Sequence, residues 1–184
     1  MKNETALLII DIQNDYFEGG ANPLSGSFEA SLRAKEVLQH FRSSSQPVVH
    51  IQHIANREGA TFFVLNTFGV QFHDNVKPID TEKVIVKHYP NSFRETELRD
   101  YLQSLGVKNL VVCGMMTQMC VDATVRVAKD LGYNIALIAD ACATKDLIFG
   151  NENASAKDVQ IAFLAALSYF YAEVIPAYKY LENK

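Results

Sequence analysis

The chain has 184 residues, 48% of them hydrophobic, and a formal net charge of −4. That balance describes one soluble globular domain, expected over residues 1–184, long enough to bury most of its apolar surface. Without a basic tract it offers no extended surface for nucleic acid or anionic membranes, and no apolar run approaches the ~18 residues of a membrane span. The expectation is a cytoplasmic protein whose partner is a small molecule.

Ala6 to Ile10 is an unbroken apolar run, the pattern of a strand covered on both faces. Helical spacing follows from Phe28 to Phe41, with Leu32, Val37, Leu38 and Phe41 on one side. Pro47–Ile51 reads as a second strand and Val84–Val86 as a third, followed by a helix from about Glu95 to Leu105 that Gly106 stops. Leu110–Cys113 is a fourth strand. It runs through Gly114-Met115-Met116-Thr117 into a helix with Cys120, Ala123, Thr124, Val127, Ala128 and Leu131 at its small or apolar positions. Asn134–Ala139 forms a fifth strand, Lys157–Phe170 a helix and Ala172–Ile175 a short sixth strand. Alternating strands and helices predict an α/β fold with a largely parallel sheet and helices on both faces. The long stretch from Gln52 to Pro78, rich in phenylalanine, reads as a substrate lid or a subunit contact.

Three cysteines, Cys113, Cys120 and Cys142, give an odd count with no C-x-x-C pair, which argues against a disulfide framework and a thiolate zinc site. In open parallel sheets ligands bind beyond the carboxyl ends of the strands. Asp11 directly follows the first strand, Lys87 the third, and Cys120 lies in the first turn of the helix after the fourth. The sheet therefore delivers an acid, an amine and a thiol to one edge. A helix N-terminus and a nearby ammonium are expected to lower the thiol from its ordinary ~8.5. Asp11 would take the thiol proton and return it to a leaving amine, and backbone N–H groups of the Gly114–Cys120 turn would face the oxyanion. Each residue also has a plainer reading: Asp11 as a turn residue, Lys87 as a solvated strand end, Cys120 as packing.

The segments Asp11-x-Gln13-x-x-Tyr16-Phe17, Lys87 to Phe93, Gly114 to Arg126 and Asp140 to Thr144 resemble, in order and spacing, the motifs of isochorismatase-like cysteine hydrolases. The resemblance implies a three-layer α/β/α sandwich around a six-stranded sheet, with Asp11, Lys87 and Cys120 as catalytic triad. It further implies a cis peptide at Met115–Met116, an oxyanion hole from the N–H groups of Met116 and Cys120, and Phe17, Tyr89, Phe93 and Met115 around the substrate. Family members are commonly oligomeric, which implies a homo-oligomer here, a dimer or larger.

The metal motif of the nicotinamidase branch is not matched: His53 stands where its Asp would be and Ala55 where its His would be. His50 and His53 alone are too few ligands for a metal, so no metal and no cofactor are expected. The resulting expectation is hydrolysis of a small amide, lactam or ureido C–N bond through a thioester. Vinyl-ether hydrolysis of the isochorismatase type, which needs no thiol, is the rival enzyme reading. A silent small-molecule-binding protein is the alternative outside enzymes.

Overall fold

The computed structural model describes residues 4–182, so both ends of the domain expected over 1–184 lie outside the described residues. Six strands form one sheet: β1 (Thr5–Ile10), β2 (Val48–His53), β3 (Lys83–Lys87), β4 (Asn109–Met115), β5 (Asn134–Ala143) and, after a small hairpin β6–β7 (Leu147–Phe149 and Glu152–Ala154), β8 (Glu173–Ile175). Their order is β3-β2-β1-β4-β5-β8, and every pairing in it is parallel. Five α-helices accompany them: α1 (Ser27–Ser43), α2 (Leu98–Leu105), α3 (Asp122–Asp130), α4 (Ala156–Phe170) and α5 (Ala177–Glu182).

The unbroken apolar run of β1 is explained by burial on both sides. Leu7 and Ile9 face α1 and α5, packing with Ala34, Leu38, Phe41 and Tyr180, whereas Ala6, Leu8 and Ile10 face the opposite core with Leu102, Val125 and Leu167 of α2, α3 and α4. The result is the three-layer sandwich. The strand order runs outward in one direction through β2 and β3 and in the other through β4, β5 and β8. The strand order reverses between β1 and β4, the point beyond whose carboxyl ends ligands bind in open parallel sheets.

Local chemistry sets the element ends. Gly106 adopts φ 73° and closes α2 through its N–H to the Gln103 and Leu102 carbonyls. Ser155 caps α4 by accepting the Asp158 N–H at 3.2 Å. The sequence reading did not contain the β6–β7 hairpin, α5, or the π-helical turn at Thr117–Val121, each too short to show a period. Among the described residues, no helix is long and apolar enough to cross a membrane. The outer face of α4 leaves Ile161, Tyr169 and Phe170 exposed.

Gly114 pairs with Ile10 across β1 and β4, has φ 141°, and sits at a shift in register against β5. A Cβ there would collide with the Ile10 carbonyl oxygen, so the two strands approach this closely only because the residue is glycine. Gly114→Ala is expected to cost about 3 kcal/mol in urea unfolding, from backbone strain and overpacking together.

A buried polar cluster around Glu82 closes the outer edge of the sheet. The Glu82 carboxylate accepts Arg42 Nε at 2.7 Å and Nη2 at 2.8 Å, the Ile79 N–H at 3.0 Å, and lies 2.9 Å from Nε2 of buried His50. Burial works to raise the Glu82 carboxyl, but hydrogen bonds from Arg42, Ile79 and His50 bring it down from 4.5 to about 2. The folded protein therefore binds this proton less readily than the unfolded chain. The stabilisation is complete above about 4.5 and disappears as the pH falls toward about 2. Glu82→Gln is expected to flatten the rise of the urea midpoint across that window and to leave the rest of the pH profile in shape.

Candidate active site

Asp11 leaves β1 in the left-handed region (φ 51°), a conformation aspartate tolerates better than most residues. Its N–H bonds the Ile51 carbonyl at 3.1 Å, so the turn begins with the strand ladder intact. Lys87 ends β3, where only alternate residues face inward: Ile85 and Lys87 are buried, Val84 and Val86 exposed. Lys87 is thus a core residue by register, and the plainer reading of a solvated strand end fails. Its Nζ lies 2.7 Å from Asp11 Oδ2 with neither side chain exposed, and it donates to the Pro90 carbonyl at 3.0 Å.

Cys120 sits in the π-turn between β4 and α3 and is nearly fully buried. The Met116 carbonyl accepts the Met119 N–H at 3.0 Å and the Val121 N–H at 3.2 Å, a wide turn that passes over Cys120. The Met115–Met116 peptide is cis. Thr117 Oγ1 donates to Gln160 Oε1 of α4 at 2.8 Å, and Thr144 Oγ1 donates to Gln118 Oε1 at 2.5 Å, which ties the turn to α4 and the end of β5. On the far side, Thr124 Oγ1 lies 2.8 Å from Ser92 Oγ and accepts the Ser92 N–H at 3.0 Å. The loop after Lys87 is thereby fixed to the helix after Cys120.

The same strand-end rule that selected Asp11 and Lys87 also selects His53, which sequence reasoning weighed only as a metal ligand. It is the last residue of β2 and pairs in register with Lys87. His53 Nδ1 lies 3.8 Å from Asp11 Oδ2 and 3.9 Å from Cys120 Sγ. Gln13 holds it there: the side-chain carbonyl accepts the His53 N–H at 2.8 Å, and the amide donates to the His53 and Val70 carbonyls at 2.9 and 2.7 Å. His50, three residues back, points to the opposite face and is engaged by Glu82, so the two histidines do not share a site.

Burial pushes the Asp11 carboxyl up, but the Lys87 ammonium, with help from His53, brings it below the ordinary carboxylate range. Burial opposes the charge on Lys87, yet the Asp11 carboxylate keeps it protonated. For Cys120 the direction is opposite to the expectation from sequence. Burial and the adjacent Asp11 carboxylate raise the thiol well above its ordinary value, and Lys87 only partly offsets them. Both directions favour a neutral thiol beside an ionised carboxylate over a preformed thiolate.

A cavity of about 320 Å³ opens above His53 and Met119, walled by Phe62, Phe63, Tyr89 and Pro90, with Arg57 and His88 also on it. Of the substrate residues expected from the resemblance, Tyr89 lines this cavity. Phe17 does not: it stacks on His73 at 3.7 Å and borders a separate surface depression. Phe93 stacks on Tyr133 at 6.2 Å against the α2–α3 core, and Met115 is fully buried in the other core. Aromatic and sulfur side chains in a motif are as readily core as pocket, and sequence spacing does not separate the two. Phe62 and Phe63, taken from sequence only as loop residues, are cavity walls. Asp15 places them by accepting the Phe63 N–H at 2.6 Å, and Gly69 leaves room for its carboxylate.

A thiol and a buried carboxylate–ammonium pair thus meet beyond the carboxyl ends of the parallel strands, with a cavity beside them. The model of the isochorismatase domain matches residues 5–175. The chain is 51% identical over 170 residues to the isochorismatase family protein YddQ of Bacillus subtilis (strain 168), itself uncharacterized, covering 92% of this chain and 94% of that one. It is 34% identical to streptothricin hydrolase of Streptomyces noursei over 91% of this chain and 58% of that protein. A crystal structure assigned to the isochorismatase hydrolases, from Oleispira antarctica, superposes with a TM-score of 0.95 at 43% identity, covering 99% and 98% of the two chains. The N-carbamoylsarcosine amidase of Thermoplasma acidophilum shares the fold, with a TM-score of 0.80 at 22% identity over 95% of this chain and 96% of that one. The chain belongs to the isochorismatase family of hydrolases.

The protonated, buried thiol has a measurable signature. Iodoacetamide is expected to alkylate Cys120 at pH 7 more slowly than a free cysteine, whose pKa is ~8.5, and to gain speed as the pH rises above 9. Peptide mapping by mass spectrometry distinguishes Cys120 from Cys113 and Cys142. Rapid labelling of Cys120 at neutral pH would show a preformed thiolate instead.

Proposed function

We propose that the protein hydrolyses a C–N bond of a small amide, lactam or ureido compound through a thioester on Cys120. The carrying observation is the thiol within 4.8 Å of a buried carboxylate that Lys87 keeps ionised. Asp11 accepts the thiol proton as sulfur attacks the carbonyl carbon, so thiolate forms only as it is consumed. Collapse of the tetrahedral intermediate breaks the C–N bond, and Asp11 returns the proton to the leaving nitrogen. Water then adds to the thioester with Asp11 as base, and the acid departs with the thiol restored. Lys87 holds the carboxylate in place and limits how basic it becomes.

The N–H groups of Met116 and Cys120 are assigned to the developing oxyanion, a role worth ~3 kcal/mol per donor in comparable enzymes. The cavity favours a small substrate with a flat or apolar body against Phe62, Phe63 and Met119. A streptothricin hydrolase is among the relatives and an amidase shares the fold, and both are compatible with this reading.

A panel of primary amides, ureido acids and cyclic amides, followed by ammonia or acid release, tests the reading. For whichever compound turns over, Cys120→Ala and Asp11→Asn are each expected to lower kcat at least 10³-fold with circular dichroism unchanged. Turnover of isochorismate that survives Cys120→Ala but requires Asp11 would instead establish ether hydrolysis. Saturable binding without turnover of any compound would establish the silent binding protein.

A further inference from the structure

Beyond the hydrolytic reading, the side chains around Asp11 have a geometry that proton transfer does not require. One carboxylate oxygen of Asp11, one ring nitrogen of His53 and the sulfur of Cys120 all lie within 4.8 Å of one another. Two of the separations are 3.8 and 3.9 Å. The ligand–ligand edges of a tetrahedral zinc site, with bonds of ~2.0 Å to nitrogen or oxygen and ~2.3 Å to sulfur, are only a few tenths of an ångström shorter.

A second observation points to a ligand. Both Asp11 oxygens are fully buried; Oδ2 is engaged by the Lys87 ammonium at 2.7 Å, while Oδ1 has no hydrogen-bond donor among the described residues. Such acceptors are costly to leave unmade. Of the three groups, His53 borders the 320 Å³ cavity, which gives an ion a path of entry on that side.

We propose that Asp11, His53 and Cys120 bind a thiophilic divalent cation, with Zn²⁺ as the best fit, and that its occupancy blocks the nucleophile. Binding forms metal–sulfur, metal–nitrogen and metal–oxygen bonds and releases the Cys120 thiol proton to solvent. The thiolate and Asp11 are then both committed to the ion. Lys87 repels any dication, so the metal–thiolate bond must supply the affinity. Mg²⁺ and Ca²⁺, which need oxygen ligands, are therefore excluded by the donor set.

Co²⁺ is a suitable probe on the full chain. The expected result is a thiolate-to-cobalt charge-transfer band saturating at one ion per chain, displaced by one equivalent of Zn²⁺ and untouched by excess Mg²⁺. Cys120→Ser should abolish the band, His53→Gln should weaken binding at least tenfold, and Cys113→Ser and Cys142→Ser should leave it intact. No band, or one of equal affinity in His53→Gln, would overturn the proposal. The thioester reading fails separately: Cys120-dependent hydrolysis without a cobalt band removes only the cation site, and a band without hydrolysis retains it.

Discussion

The structure is organised around one buried ion pair, Asp11 with Lys87. Two charges removed from water cost several kcal/mol each unless geometry and further contacts offset them. Here the offset is a 2.7 Å separation and the Pro90 carbonyl on the ammonium. Losing either partner would leave the other uncompensated in the interior. The arrangement also demands that β1 and β3, with β2 between them, end at the same height, and the parallel register through His53 and Lys87 achieves this. The fold thus converts sheet register into electrostatic precision.

The pair also governs the thiol. Burial and the Asp11 carboxylate beside it raise the Cys120 thiol, so on the proposed function the nucleophile rests as a thiol with the carboxylate as its base. That division of charge suits acyl transfer in a buried site, because the anion forms only as the carbonyl accepts it. It also leaves the thiol less open to alkylation and oxidation between turnovers.

The sequence made the central strands, and the meeting of Asp11, Lys87 and Cys120 beyond them, legible for a common reason. Ala6–Ile10 and Leu110–Cys113 are continuous apolar runs because helices cover both faces, and the reactive residues follow them directly. Lys87 was harder, since only the in–out alternation of an edge strand separates it from a solvated lysine. Phe17, Phe93 and Met115 do not line the cavity beside His53, because a motif fixes order along the chain and not the direction of a side chain. The neutral state of Cys120 was illegible for a different reason: the helix-terminus argument ignores burial, which dominates once the turn is packed against β5 and α4.

The segment after β2 is pinned to the body of the domain by hydrogen bonds at Ile54, at Phe63 and from Phe68 to His73. The Ala55 N–H meets the Phe63 carbonyl at 2.9 Å, Asp15 grips Phe63, and Gln13 grips Val70. Between Ala55 and Phe63 the chain makes an outward excursion that carries Asn56, Arg57 and Phe62 to the cavity without bearing on the ion pair. Chemistry and recognition are therefore separable in inheritance. On the proposed function, residues 56–62 form a cassette that evolution, or a designer, can exchange to change what is recognised while Asp11, Lys87 and Cys120 are passed on intact.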